Sequence, residues 1–383
     1  MRFGADFSAL IERFCSNSDR PIALAVSGGS DSLALLLLSH AWAEELARPL
    51  VIFTVDHGLR AAAKQEIEHV ATLCKTLGRP HKTLVWAHPK PSQAAARSAR
   101  YDLLSAAARA AGAACLMTGH TFDDVIETAL IRRRRGVRDA TLAGPVIAAP
   151  VPSWPAGRGV TLVRPVVQTR RTALRGFLRA ADQSWCDDPS NQNPTFERSR
   201  IRASLERHPG LARIAGAFTA RLQQDRAALD AAFAHQLRRV RVSQDGLIDT
   251  GEAEPSLRLL AMLARCASGG AQDPRSRAVA QLVKTLEKPG DRQTLGGAWF
   301  QRTASGYLIG RDPARITLST STGVFDGRFA SEGRLAAGEP PQNAYLVRHA
   351  QPPGSGWNQI ISERIEHLAQ CAETPACDPV ETV

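Results

Sequence analysis

No C-x-x-C pair occurs in this 383-residue chain, whose seven cysteines (Cys15, Cys74, Cys115, Cys186, Cys266, Cys371 and Cys377) lie scattered. That argues against a zinc ribbon and against thioredoxin-like exchange. An odd number of dispersed cysteines fits a reduced, cytoplasmic setting. No apolar run approaches the roughly 18 residues that a membrane helix needs, so no membrane association is expected. The opening stretch, MRFGADFSALIERF, is acidic within its first turns and has no long apolar core, unlike a signal peptide. The G-x-G-x-x-G dinucleotide fingerprint is missing, and so is the Walker lysine of G-x-x-x-x-G-K-[ST]. No internal repeat is visible, and lysine is scarce beside arginine.

What is present is a 44% hydrophobic composition, enough for a sizeable core, and a formal charge of +11. The charge points to a polyanionic partner such as nucleic acid. The arginine and alanine excess is also what a GC-rich coding bias would leave. The first half alternates apolar strand-like runs (PIALAVS at 21–27, PLVIFTVDH at 49–57, KTLVWA at 82–87, ACLMTGH at 114–120, VTLVRPVV at 160–167) with helical stretches, several of them closed by glycine. Strict alternation predicts an α/β fold with a doubly wound parallel sheet, whose ligands bind beyond the carboxyl ends of the strands. Residues 136–159, rich in Gly and Pro, read as a long loop. The arginine-rich stretch from 204 to 290 reads as helical, 293–313 as a hairpin or small sheet, and the Pro/Gly-rich segment after 335 as a partly disordered tail. The resulting division is 1–210, 211–335 and 336–383.

The motifs fall where strands end. Ser27-Gly28-Gly29-Ser30-Asp31-Ser32 follows the first strand and opens a helix. Glycines there turn backbone N–H groups inward, and the helix N-terminus adds its dipole, which makes an anion cradle. An ordinary turn with Ser30 or Asp31 as helix cap is the plain alternative. Asp56 and His57 end the second strand. Arg97 and Arg100 stand three apart on one helix face, as surface arginines often do. His120, Asp124 and Glu127 share another helix face, which could equally be a solvated one. Asp188, Asn191, Arg198 and Arg202 lie in DDPSNQNPTFERSRIR.

The hexapeptide resembles the S-G-G-x-D-S signature of the PP-loop, or N-type, ATP pyrophosphatases, which cleave ATP between its α- and β-phosphates. The further motifs D-H-G-L-R, A-R-x-x-R-Y, T-[AG]-H-x-x-D-D-x-x-E-T and D-P-S-N, in this order over about residues 20 to 205, resemble those of the tRNA(Ile)-lysidine synthetase family. The resemblance implies an adenine-nucleotide α-hydrolase-like PP-loop domain with a mainly helical C-terminal region. It implies a ligase that uses ATP and Mg²⁺ to adenylate C2 of the wobble cytidine in an isoleucine tRNA with a CAU anticodon. The ε-amine of free L-lysine then displaces AMP, and the tRNA reads AUA instead of AUG. The same resemblance makes Ser27–Ser32, Asp56 and His57 the nucleotide contacts, and Asp31 with Asp124 the metal ligands. It places Asp31, Arg97, Arg100, His120, Asp124 and Glu127 in catalysis, with the choice of base among His120, Asp124 and Glu127 open. It sets Asp188, Asn191, Arg198 and Arg202 against lysine or tRNA, and the region 211–335 against tRNA. Binding of that tRNA should weaken steeply with salt.

The chain departs from the family pattern at Arg135-Gly136-Val137-Arg138-Asp139, where a small-residue R-G-S-G stretch is common, and at Asn193 and Ser199. The arginine run 132–135 either complements a helix C-terminus or touches tRNA phosphates. Two rivals are another PP-loop enzyme such as a tRNA thiolase, disfavoured by the missing C-x-x-C, and a non-catalytic RNA-binding PP-loop protein, disfavoured by the intact acidic residues. The sequence leaves open whether the chain is a monomer or a homodimer.

Overall fold

The structure, a computed structural model, describes residues 3–15, 19–58, 63–89, 92–138, 140–187, 194–251, 254–270, 272–315, 324–326, 328–331 and 357–373. It divides into two units: residues up to Val151 with Val160–Leu229, and Pro152–Gly159 with Asp230–Glu373.

In the first unit, the strands β1 (Ile22–Ala25), β2 (Leu50–Asp56), β3 (His81–Val85), β4 (Cys115–Thr118), β5 (Ala148–Pro150) and β6 (Thr161–Val163) form one six-stranded sheet in the order β3-β2-β1-β4-β6-β5. All neighbours are parallel except β5, which runs antiparallel to β6 at the edge. β1 and β4 are the short apolar runs, and every residue of each is buried. That is the composition a strand covered on both faces requires. The helices α1 (Phe3–Phe14), α2 (Ser30–Glu45), α3 (Ala63–Thr76), α4 (Gln93–Ala110), α5 (Phe122–Arg134), α6 (Arg171–Ala180) and α7 (Glu197–Arg207) connect and cover this sheet.

α2 has a reason to be apolar on nearly every side. Leu33, Ala34, Leu35 and Leu36 are all fully buried, in a core shared with Phe7 and Ile11 of α1 and Leu174 and Leu178 of α6. Such a helix lies inside a layer and not on its surface. A second core, with Tyr101, Leu104 and Ala108 of α4 against Ala23, Phe53 and Leu116, covers the other face. Each large side chain so buried contributes about 1.5–3 kcal/mol. The chain leaves β1 toward β2 on one side and reaches β4 on the other. The β1/β4 boundary is therefore the topological switch point, where doubly wound sheets bind ligands.

The second unit holds a five-stranded antiparallel sheet of β7 (Arg241–Val242), β8 (Ile248–Asp249), β9 (Arg292–Leu295), β10 (Ala298–Thr303) and β11 (Gly306–Arg311), in the order β7-β8-β11-β10-β9. Helices α9 (Leu257–Ser268) and α10 (Ser276–Thr285) pack on it. Three short strands, β12 (Val324–Phe325), β13 (Phe329–Ser331) and β14 (Trp357–Gln359), make a separate small sheet, followed by α11 (Ile361–Ala372). Asp326, buried, accepts from Nε and Nη2 of Arg311 at 2.7 Å each and from Arg328 at 3.0 Å.

The structure details three regions more finely than the sequence does. The first compact unit runs on past 210 to Leu229, inside the 31-residue helix α8 (Pro209–Arg239). An alanine-rich helix without Gly or Pro at that point offers no linker signal. The supposed loop 136–159 includes a 3-10 turn (Ala140–Ala143) and β5, a strand too short for alternation to show. The supposed tail contains β14 and α11, whose Ile361, Ile365 and Ala369 recur every four residues and enter the core of the second unit. Residues 332–356 and 374–383 lie outside the described residues.

Candidate active site

The Ser27–Ser32 loop leaves β1 and enters α2 through a hydrogen-bonded turn. Ser32 Oγ accepts from Ser27 N at 3.1 Å, donates to Gly29 O at 3.0 Å and meets Ser27 Oγ at 3.2 Å. Gly29, not Ser30 or Asp31, is the helix N-cap, and no side chain caps the first turn. The first N–H groups of α2 are thus left to an anion, the arrangement a phosphate uses. Gly28 sits at φ +87, a left-handed conformation that side chains resist, and a Cβ there would stand 3.3 Å from the Glu66 carbonyl. Asp56 and His57 end β2 on the same edge. The Asp56 carboxylate accepts from Gly58 N at 2.8 Å, and His57 meets Trp86 edge-to-face.

The T-F-D-D-V-I-E-T stretch gives each of its three carboxylates a separate set of partners. Asp123 accepts from the Arg171 backbone N–H at 2.7 Å and pairs with Arg170 at 3.1 Å, so it pins the start of α6. Asp124 completes a capping box with Thr121, its Oδ2 accepting from both Thr121 N and Thr121 Oγ1 at 2.9 Å. Glu127, 1% exposed, takes Arg202 through both oxygens (2.8 and 3.2 Å) and Arg198 at 3.2 Å. Arg198 and Arg202 are one turn apart on α7, which explains why both reach a single carboxylate.

Arg171, which the sequence did not single out, joins these groups. Its Nε donates to Asp31 Oδ2 at 2.9 Å, and its terminal nitrogens lie 3.6 Å from Asp124 and 3.6 Å from Glu127. Burial opposes its charge, but the three carboxylates outweigh it and hold the guanidinium above its usual range. For Asp31 burial dominates over Arg171, and its pKa is raised. Burial also pulls Asp124 upward, yet Arg171, His120 and the Thr121 N–H together bring it below the ordinary carboxylate range. The two carboxyls are pushed in opposite directions, a pattern common where proton chemistry occurs.

His120 hydrogen-bonds Thr118 Oγ1 at 2.9 Å. Burial, then the nearby Arg164, Arg100 and Arg97, push its pKa down to about 3, against the pull of Asp124. Among the described residues Arg100 has no hydrogen bond or ion pair, and burial lowers its pKa, whereas Arg97 is exposed and lies over the Tyr101 ring at 5.1 Å. Cationic charge facing a neutral histidine leaves room for an anion. Between pH 6.5 and 3 the unfolded chain binds the His120 proton and the native one does not, so stability falls as pH falls through that window. Above pH 6.5 the group contributes nothing. His120→Gln should therefore flatten the acid side of a urea-denaturation series by up to about 1.4 kcal/mol per pH unit. Parallel wild-type and variant curves would show that His120 is not held neutral.

Asp188 and Asn191 lie outside the described residues. Three of the arginines 132–135 have partners within the fold: Arg132 donates to Thr141 O, Arg133 lies 5.0 Å over Phe218, and Arg135 pairs with Glu197 at 2.7 Å. Arg175 was also missed. It reaches Ser30 Oγ at 3.3 Å and Asp187 at 3.1 Å. The segment before D-P-S-N touches the loop as well, where Cys186 N donates to Gly28 O at 3.0 Å.

A magnesium ion fits the donor chemistry only in company. Among the described residues no cluster of three or more His, Cys, Asp or Glu could hold a metal unaided. Mg²⁺ is commonly held by one or two carboxylates plus phosphate oxygens, and Asp31 and Asp124 would supply that share. Cys15, Cys74, Cys115, Cys186 and Cys266 are free thiols, and no described helix is long and apolar enough to cross a membrane.

Comparison with known proteins supplies the family. Residues 3–208 match the family model described as a PP-loop domain. The chain is 39% identical over 308 residues to a tRNA(Ile)-lysidine synthase of Hyphomonas neptunium, covering 77% of this chain and 82% of that protein. It is 36% identical over 335 residues to the same-named protein of Rhizobium meliloti (82% and 74% covered), and 36% over 377 residues to that of Brucella ovis (91% and 82%). Among solved structures, a U34-tRNA thiolase from Methanococcus maripaludis is 16% identical with a TM-score of 0.44, covering 58% of this chain and 80% of that one. With the domain matched over more than half its length and relatives aligned over most of theirs, the chain belongs to the tRNA(Ile)-lysidine synthase family of PP-loop proteins.

Proposed function

We propose that this chain uses ATP to adenylate the C2 oxygen of the wobble cytidine in an isoleucine tRNA with a CAU anticodon, and then joins the ε-amine of free L-lysine to C2. The observation that carries the reading is the convergence of Asp31 from the Ser27–Ser32 loop with Asp124 and Glu127 of α5 at the β1/β4 boundary. In the first step the C2 oxygen bonds to the α-phosphorus and the bond to the β-phosphate breaks. The uncapped N–H groups of α2 and Arg175 beside Ser30 suit the charge that gathers on the departing pyrophosphate. Mg²⁺, held by Asp31 and Asp124, would supply Lewis-acid polarisation of the phosphates.

In the second step the lysine nitrogen bonds to C2, and the C2–oxygen bond to AMP breaks. The ammonium must first lose a proton. His120, neutral with a pKa near 3, is too weak a base for that task. Both oxygens of Glu127 are taken by arginines. Asp124 Oδ1 has no hydrogen bond among the described residues, so Asp124 can orient the ammonium by its charge, while its own lowered pKa gives it no advantage over His120 as the base. Arg97 and Arg100 suit the phosphate of the adenylate. The region 211–335 is assigned to tRNA contact, and the chain's overall charge of +11 suits a polyanionic substrate.

The test is transfer of radiolabelled lysine to transcribed isoleucine tRNA with a CAU anticodon, in the presence of ATP and Mg²⁺. Stoichiometric incorporation with equimolar AMP is expected. No lysine incorporation, with sulfur incorporated from a sulfur donor instead, would refute the reading.

A further inference from the structure

Arg171 is held in place from two sides. Its backbone N–H is fixed by Asp123, and its side chain lies among Asp31, Asp124 and Glu127, 15% exposed. A guanidinium needs only one carboxylate partner to be satisfied, and Asp124 and Glu127 already have others. Asp124 has the Thr121 cap, and Glu127 has two arginines. The contact with the shortest distance is therefore the one to the loop residue, Asp31, at 2.9 Å.

Charge counting sharpens the point. Three carboxylates (Asp31, Asp124, Glu127) face three guanidinium groups (Arg171, Arg198, Arg202), so the cluster is balanced. A free divalent cation meets no net attraction there. A divalent cation that arrives with a polyphosphate brings its own negative charge, and it can take Asp31 while phosphate oxygens take the released guanidinium. One turn along α6, Arg175 already stands at Ser30 Oγ, so the helix presents two arginines along the loop.

We propose that Arg171 is a built-in counter-cation for Asp31, holding the carboxylates together in the nucleotide-free protein and giving way when a divalent cation enters with ATP. The proposal rests on the reading of the Ser27–Ser32 loop as a nucleotide site. It makes Arg171 a positioning residue that prevents metal loading before nucleotide arrives.

The test is Mn²⁺ binding followed by the electron paramagnetic resonance signal of the free ion, with and without the non-cleavable α,β-methylene analogue of ATP. Wild-type protein should bind Mn²⁺ at this site only with the analogue. Arg171→Gln, which leaves one carboxylate uncompensated, should bind Mn²⁺ without nucleotide at least about tenfold more tightly than wild type. Adding Asp31→Asn to that variant should remove the gain, and Arg171→Lys should exclude the ion as wild type does. A folded Arg171→Gln protein with no gain overturns the proposal. So does wild-type protein that binds Mn²⁺ equally well with and without the analogue, a result independent of whether any variant folds. Wild type that fails to bind the analogue at all refutes the nucleotide reading instead.

Discussion

Asp31→Ala should abolish ATP-dependent AMP release, by at least about 100-fold, while tRNA affinity stays near the wild-type value. Asp31 is the only carboxylate in the Ser27–Ser32 loop, and it stands at the first turn of α2, where the phosphates and their metal ion would lie. Its loss removes a metal ligand and the 2.9 Å partner of Arg171, but little packing, because the side chain is 20% exposed. The fold should survive, with Arg171 still held by Asp124 and Glu127. Labelled ATP with product separation reads the first quantity, and filter binding of tRNA at fixed salt reads the second. Full AMP release by the variant would show that the phosphate chemistry does not pass through this carboxylate.

Glu127→Gln should cost about 3 kcal/mol of unfolding free energy, near the low end for breaking a buried ion pair. The carboxylate is 1% exposed and compensates Arg198, Arg202 and Arg171. Glutamine keeps the shape and can accept hydrogen bonds, yet it leaves guanidinium groups crowded without an opposing charge. Solvent reaches Arg198, 43% exposed, and screens part of that penalty. Adding Arg202→Met should recover some of the loss, since the two residues belong to one network and their effects do not add. Urea denaturation of both variants measures this. A loss below about 1 kcal/mol in Glu127→Gln would mean that the cluster contributes little to holding α7 on α5.

The alternation of short apolar runs with helices made the parallel sheet legible, because a strand buried on both faces has no option but to be apolar throughout. The glycine turn after β1 was legible for a related reason. Gly28 and Gly29 stand where backbone must turn and approach closely, and few other functions need both in that position. Arg171 was not legible. Its partner Asp31 lies 140 positions away, and nothing in the local string QTRRTAL separates a buried arginine from a surface one. Asp123 was hidden by its neighbour, since a D-D pair looks like a unit although one member pins α6 and the other caps α5. The helix at 361–372 was obscured by the Pro- and Gly-rich residues before it, although ISERIEHLAQCA carries a helical apolar spacing.

The uncapped start of α2 has a thermodynamic consequence. A serine or aspartate in place of Gly29 would stabilise the empty protein by a few tenths of a kcal/mol, but it would occupy the same N–H groups that a phosphate needs. On the proposed reading of the turn as a nucleotide site, the chain forgoes that stabilisation when empty and would recover it from the bound phosphate. By mass action, an anion that fills the turn becomes part of the folding equilibrium. The central helix of the first unit would then be completed by its substrate.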